Sequence, residues 1–293
     1  MTSFPSPGAV LRKILQEPEI LVAPGAHNAF TARIIEQTGF RAVYLTGSGA
    51  SMDLLGMPDL GFLTMTEMVA HAGNIVQATR LPVIADADTG YGNALNVMRT
   101  IREYERTGVA GVHIEDQVAP KRCGHFAGKE VIPREEMIGK IKAALDARRD
   151  PDFLIIARTD ARAVLGLEEA IERGKAYRQA GADTIFVDAP ESVEELRLIP
   201  RSIPGPLMVN MSEGGKTPLI SARELQEMGY RLVIYPRSAA GAAAKAIQEL
   251  LAVLKKEGTT KNCLDRILSF EGRNQITGLA HYQELEKKYL RKD

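Results

Sequence analysis

The chain has 293 residues, 45% of them hydrophobic and 25% charged, which is enough apolar content to bury a large core and too much for a disordered chain. Thirty-seven Lys and Arg offset thirty-seven Asp and Glu, and no block of like charge breaks the balance, so the electrostatic basis for a nucleic-acid or anionic-membrane partner is missing. Two cysteines make no disulfide framework, no apolar run reaches the roughly 18 residues of a membrane span, and the first residues lack the charged-then-apolar pattern of a signal peptide; the expectation is a soluble, cytoplasmic protein.

Along the chain, short β-rich runs fall at Ile20–Ala23, Ala42–Leu45, Val83–Asp86, Gly111–Glu115, Phe153–Arg158, Thr184–Asp188, Leu207–Asn210 and Leu232–Tyr235. Most are continuous apolar runs, as expected of parallel strands buried on both faces. Helical periodicity separates them, most clearly over Glu136–Ala147, Leu167–Ala180 and Ala240–Lys256. Gly39, Gly108, Gly181 and Gly229 each close a helical pattern just before a strand, where a left-handed residue ends a helix. Thr64 with Glu67, Ser192 with Glu195 and Ser221 with Glu224 fit capping boxes that open helices. Eight strand–helix repeats predict an α/β fold, a (β/α)8 TIM barrel spanning 1–293 as a single domain with a C-terminal helical extension. A doubly wound open sheet shares this punctuation, but the eight strands and the lack of a dinucleotide-type Gly-x-Gly-x-x-Gly favour the barrel.

Two connections are too long to be simple turns, Gly47–Gly61 and Gln117–Ile132, and both follow strands, which in a barrel places them at the C-terminal mouth where active sites sit. Polar residues concentrate at the same end: Asp86 and Asp88 after the third strand, His113 and Glu115 in the fourth, Arg158 in the fifth, Asp188 and Asn210 closing the sixth and seventh. Side chains alternate along a strand, so Asp86 pairs with Asp88 and His113 with Glu115 on one face. Converging carboxylates repel one another unless a cation sits among them, and all-oxygen donors suit Mg²⁺, with Mn²⁺ as a substitute. The competing reading is that Asp86 or Asp88 caps the helix beginning near Asn93. Thr46-Gly47-Ser48-Gly49 offers closely approachable backbone amides for an oxyanion. Cys123 stands among Lys121, Arg122 and His125, cations that favour a thiolate, and is followed by Gly124. His27, able to line the mouth, and His71, His281 and Cys263 receive no role.

The motifs Lys121-Arg122-Cys123-Gly124-His125, Asp86-Ala87-Asp88-Thr89-Gly90-Tyr91-Gly92, His113-Ile114-Glu115-Asp116-Gln117, Ile156-Ala157-Arg158-Thr159-Asp160 and Gly214-Gly215-Lys216-Thr217-Pro218 resemble the isocitrate lyase/phosphoenolpyruvate mutase superfamily. Length and wording are similar to its short members, the 2-methylisocitrate lyases, 2,3-dimethylmalate lyases and carboxyvinyl-carboxyphosphonate phosphonomutases. The resemblance implies a Mg²⁺-dependent barrel working through an enolate of a 2-oxo acid, with small carboxylates as substrates, and a homotetramer whose paired subunits exchange the eighth barrel helix. It implies that Asp59, Asp86, Asp88 and Glu115 hold the metal directly or through water. Tyr44, Thr46, Gly47 and Ser48 would bind the oxo-acid end, Arg158 a carboxylate, and Asp188 and Asn210 the second product, with Gly124, His125 and Thr217 also at the substrate. Cys123 would be the proton donor on a gating loop, in a catalytic set with His113, Glu115, Lys121 and Tyr44. Asp188 stands where the lyases commonly carry Glu, and Arg237 where an apolar residue is usual, so the substrate stays open. A carbon–carbon lyase releasing pyruvate is the leading expectation; a phosphonomutase sharing the Cys loop, and an oxaloacetate hydrolase or decarboxylase, are the alternatives.

Overall fold

The computed structural model describes residues 5–124 and 126–290. Eight parallel strands close into a barrel in sequence order: β1 (Leu21–Ala26), β2 (Val43–Leu45), β3 (Val83–Asp86), β4 (Gly111–Glu115), β5 (Leu154–Thr159), β6 (Thr184–Val187), β7 (Leu207–Asn210) and β8 (Leu232–Tyr235). The predicted strands lie within a residue or so of these limits except the first, which runs on through Pro24-Gly25-Ala26. Pro24 and Gly25 read as breakers in sequence, yet they complete the seam, with Pro24 beside Tyr235 and Gly25 beside Tyr44. Gly25 is required there, because a Cβ would fall 2.5 Å from the Pro236 carbonyl oxygen.

Helix α1 (Pro7–Gln16) precedes the barrel, and its Leu11, Ile14 and Leu15 pack with Leu21, Ile84, Leu154, Ile156, Met208 and Leu232 at the N-terminal end of the barrel interior. Outside the strands lie α2 (Ala29–Gln37), α3 (Gly47–Leu55), α4 (Met65–Ala78), α5 (Ala94–Thr107), α6 (Arg134–Ala147), α7 (Ala161–Leu165), α8 (Leu167–Gln179), α9 (Val193–Ser202), α10 (Ala222–Met228) and α11 (Ser238–Glu257), followed by a 3-10 turn (Lys261–Arg266), α12 (Phe270–Thr277) and α13 (Leu279–Tyr289). The four helix-ending glycines have φ of 92°, 87°, 105° and 111°. The boxes at Thr64 and Ser221 form completely, and Ser192 accepts the Glu195 amide.

Alternation along the strands explains where chemistry can sit. The interior positions change from apolar to polar toward the C-terminal end, Ile84 to Asp86, Ile156 to Arg158, Phe186 to Asp188 and Met208 to Asn210. The outward positions, such as Val43, Ala85, Val112, Ile155 and Val233, join the larger core beneath the helices.

Candidate active site

On one side of the mouth the site is built from β2, β3 and the segments that follow them. Thr46 follows β2 and caps α3 by accepting the Gly49 amide at 3.3 Å. The stretch read as a loop from Gly47 is therefore a helix as far as Leu55, and its Gly-Ser composition hid that. The Gly47 amide donates to Asp86 Oδ2 at 3.2 Å, and a Cβ at position 47 would lie 2.5 Å from that oxygen. Asp86 Oδ1 accepts the Asp88 amide at 2.9 Å, folding Asp88 back with a φ of 47°. Asn93 caps α5, so neither aspartate serves that purpose. Lys121 reaches in with its ammonium 2.6 Å from Asp59 Oδ1 and 2.8 Å from Asp88 Oδ1.

Burial pushes the Asp86 carboxyl up, but His113, Lys121 and Arg158 outweigh it and bring the group down to about 2. Burial dominates at Asp88, which rises to about 6. Burial lowers His113 to about 4, so its ring is neutral at pH 7. His113 Nε2 lies 2.8 Å from Tyr44 Oη, which in turn lies 3.5 Å from Asp86 Oδ2, while Nδ1 is buried without a hydrogen bond. A proton on Nδ1 would be a stranded donor, so the consistent chain runs from His113 Nε2–H to Tyr44 Oη and from the Tyr44 hydroxyl to Asp86.

The other side centres on Arg158. Its Nε and Nη2 grip Asp160 at 2.9 and 3.0 Å, Nη2 also reaches Asp188 at 3.2 Å, and Nη1 lies 3.2 Å from Glu115 Oε2. The guanidinium sits over the Phe186 ring, 5.3 Å from its centroid. Beneath, Asp116 accepts the Asp160 amide, the Thr159 and Tyr177 hydroxyls and Arg173, tying the ends of β4 and β5 to α8.

The long connection after β4 folds over both sides. Its base is closed by an antiparallel bridge between Gln117 and Val131, and the Gln117 side chain exchanges two hydrogen bonds with the Arg122 backbone. The Cys123 amide donates to the Asp59 carbonyl at 3.1 Å. Gly124 rests on the floor: a Cβ there would stand 1.8 Å from Asp188 Oδ2 and 2.6 Å from Arg158 Nη2. No larger residue fits this closed position. The Lys121 charge, expected to act on the thiol, is committed to Asp59 and Asp88.

Of the predicted residues, Tyr44, Thr46, Ser48, Asp59, Asp86, Cys123, Gly124, Arg158, Asp188 and Asn210 line one cavity of about 650 Å³. Gly47, Asp88, His113, Glu115 and Lys121 stand behind its wall through the contacts above, and His125 lies outside the described residues. Thr217 is buried but does not line the cavity, and His27 faces an apolar groove outside the barrel, not the mouth. Sequence reasoning gave no role to Lys129, Asp160 and Phe186, nor to Lys245 and Gln248 of α11, which join Arg237 at the outer wall. Asp160 lay in a quoted motif; the helix residues carried no signal, since only packing brings α11 to the mouth.

The donors present fit a hard cation. Neither oxygen of the buried Glu115 receives a hydrogen bond, and burial holds that carboxyl well above its usual range. Asp59 and Asp88 share the Lys121 ammonium, and Asp86 stands beside them. Among the described residues no three His, Cys, Asp or Glu converge as a direct ligand set.

The chain is similar to known proteins over nearly its whole length. The chain is 53% identical to the 2,3-dimethylmalate lyase of Eubacterium barkeri, over 96% of this chain and 97% of that one. It is 46% identical to the 2-methylisocitrate lyase of Aeropyrum pernix, over 96% and 90%. Its fold superposes with a TM-score of 0.89 on a phosphonopyruvate hydrolase in complex with oxalate and Mg²⁺, at 31% identity over 98% and 100% of the two chains. The phosphoenolpyruvate phosphomutase family matches residues 11–255, and the chain belongs to that family.

Proposed function

We propose that this chain is a divalent-metal-dependent carbon–carbon lyase that cleaves a 2-hydroxy di- or tricarboxylate of the 2,3-dimethylmalate or 2-methylisocitrate class to pyruvate and a second acid. The observation that carries this reading is the Cys123–Gly124 peptide seated on Arg158 and Asp188 at a mouth lined with carboxylates, in a chain 53% identical to a 2,3-dimethylmalate lyase.

Arg158 takes the carboxylate of the pyruvoyl half, with Thr46 and Ser48 at the start of α3 beside it. Asp59, Asp86, Asp88 and Glu115 would hold a bound Mg²⁺ or Mn²⁺, which would supply positive charge to the substrate hydroxyl oxygen as it becomes the keto oxygen of pyruvate. Removal of the substrate hydroxyl proton by a base starts a retro-aldol break: the hydroxyl carbon becomes the keto carbon of pyruvate, the bonding pair passes to the α-carbon of the departing acid as its enolate, and the Cys123 thiol protonates that carbon. Asp188 and Asn210 face the departing acid, and the closed loop excludes water. Product analysis with 2,3-dimethylmalate, 2-methylisocitrate, oxaloacetate and carboxyphosphonoenolpyruvate, with and without Mg²⁺, following pyruvate, oxalate and CO₂, tests this. Turnover of only the last two substrates would replace the lyase with a hydrolase, decarboxylase or phosphonomutase.

A homotetramer with exchanged α11 belongs to the same reading. Of the 20 residues of α11 only Ala240 is buried, and Ile247, Leu251 and Leu254 are exposed. Beside β1, an apolar groove of about 750 Å³ lined by Val22, Ile34, Ile35, Phe40 and Tyr235 has the character of a helix seat. Light scattering on the purified protein measures the assembly. Among the described residues no helix is long and apolar enough to cross a membrane, and we place the enzyme in the cytoplasm.

A further inference from the structure

Lys129 is a buried lysine in the connection that covers the mouth, and the mechanism above leaves it unused. Its side chain is 2% exposed. The ammonium makes two contacts: it donates to the Gly124 carbonyl and lies 3.0 Å from Asp160 Oδ1. Burying an ammonium is costly unless every contact is good, so a lysine without a task at this place would lie in solvent with the rest of the loop. The two partners are informative. Gly124 carries the peptide that follows Cys123, and Asp160 carries the two oxygens that orient the Arg158 guanidinium. Lys129 itself stands near the fixed base of the connection, where the Val118 amide donates to the Glu130 carbonyl at 2.9 Å and Gln117 bridges Val131.

We propose that Lys129 is a positioning residue, a latch that fixes the Cys123–Gly124 peptide in its closed place and, through Asp160, sets Arg158 at the same time. A swing of the Gly124 peptide off Asp188 must break the bond from Lys129. The ammonium is then left with Asp160 alone, so its pull on Asp160, and through Asp160 on the Arg158 clamp, changes with the loop. Loop closure and readiness of the carboxylate site are thereby one event. The acid and the clamp are correctly placed together or not at all.

The proposal rests on the lyase reading only for its kinetic arm, and the first test needs no turnover. In the full-length protein, iodoacetamide labelling of Cys123 is followed by peptide mass spectrometry, with the buried Cys263 as the internal control for folding. Lys129→Met should speed Cys123 labelling about tenfold or more, the factor expected when a charge-assisted contact is lost, with Cys263 unchanged. Lys129→Arg, which keeps the charge and donors, should recover part of the protection. With whichever substrate the parent turns over, Lys129→Met should lower kcat about tenfold or more and change KM less. Parent-like labelling and kcat in the Met variant would overturn the latch. So would faster labelling of both cysteines in the Met and Arg variants, because Lys129 would then be holding the fold. If no substrate is turned over by the parent but the Cys123 labelling still responds, the lyase reading fails and the latch stands.

Discussion

The two sides of the barrel mouth hold opposite kinds of incompleteness. On the β2–β3 side, Asp59 and Asp88 share the Lys121 ammonium, Asp86 has no ion pair with it, and the neighbouring His113 is neutral. On the β5–β6 side, a single guanidinium is surrounded by Asp160, Asp188 and Glu115, with Lys129 as the second cation. The first side lacks positive charge and suits a metal ion. The second has its cation already saturated by the protein's own carboxylates, of which Glu115 is the one whose oxygens accept no hydrogen bond. Cys123 and Gly124 span the two sides, bonded to Asp59 through the Cys123 amide and pressed on Asp188 at Gly124.

The largest effect is expected where the sides meet. Cys123→Ser raises the pKa of the donor by several units at nearly constant size, so kcat should fall by about 10²–10⁴, with KM little changed. Iodoacetamide should inactivate the parent, and pyruvate with Mg²⁺ should protect it. A serine variant with parental kcat would make the thiol a loop residue only.

Asp86→Asn attacks the metal side. It removes the strongest anion there, the one carboxyl held down at about 2, and it weakens the acceptor for the Gly47 amide. Apparent Mg²⁺ affinity should fall by more than the 10–100-fold that changes around a ligand usually cost. Titration of activity against Mg²⁺ reads this directly, and an unchanged midpoint would remove Asp86 from the metal site. Arg158→Lys attacks the other side. Four of the five guanidinium N–H groups face carboxylate oxygens, and a lysine has three donors on a point charge. Substrate binding should weaken by about 1.5–3 kcal/mol, read as a rise in KM, while the Mg²⁺ midpoint stays near that of the parent. A variant that moved both quantities equally would mean the two sides are not separable.

The barrel was legible because parallel strands buried on both faces leave long apolar runs, and because Gly39, Gly108, Gly181 and Gly229 need left-handed backbone where the helices stop. The polar ends of the strands were legible for the same reason, since alternation fixes which side chains share the interior. What stayed hidden depends on contacts between distant segments. Gly47–Leu55 reads as a loop because glycine and serine are poor helix formers, and only the Thr46 cap and packing on Asp86 make it a helix. Lys129 reads as a solvated loop lysine, because nothing local announces that Asp160, 31 residues on, lies beneath it. Lys121 was recognised as a site residue, but its motif suggested a charge acting on the thiol, whereas the fold spends it on two aspartates.

The smallest effect expected is on stability, and it sharpens the contrast between a neutral and a charged interior cation. His113 has a folded pKa of about 4 against an ordinary 6.5, so between those values the unfolded chain binds the proton and the folded one does not. Its contribution to stability is therefore complete above pH 6.5 and is lost as pH falls toward 4. From pH 7 to pH 5 this amounts to about 2 kcal/mol. Asp88, raised to about 6, acts with the opposite sign: its proton is bound more tightly in the folded state, so acidification through that range stabilises the fold. The two effects partly cancel in the parent, and the His113→Gln variant separates them because Asp88 is common to both proteins. In urea titrations with the metal chelated, the parent should lose about 2 kcal/mol more than His113→Gln between pH 7 and pH 5. On the other side of the mouth Arg158 stays charged throughout, while Glu115, held by burial well above its usual range, acts with the same sign as Asp88 and is likewise common to both proteins. Equal slopes in the two proteins would mean that His113 already carries its proton in the fold, and the hydrogen-bond chain through Tyr44 to Asp86 would then have to run with a charged imidazolium as its first donor.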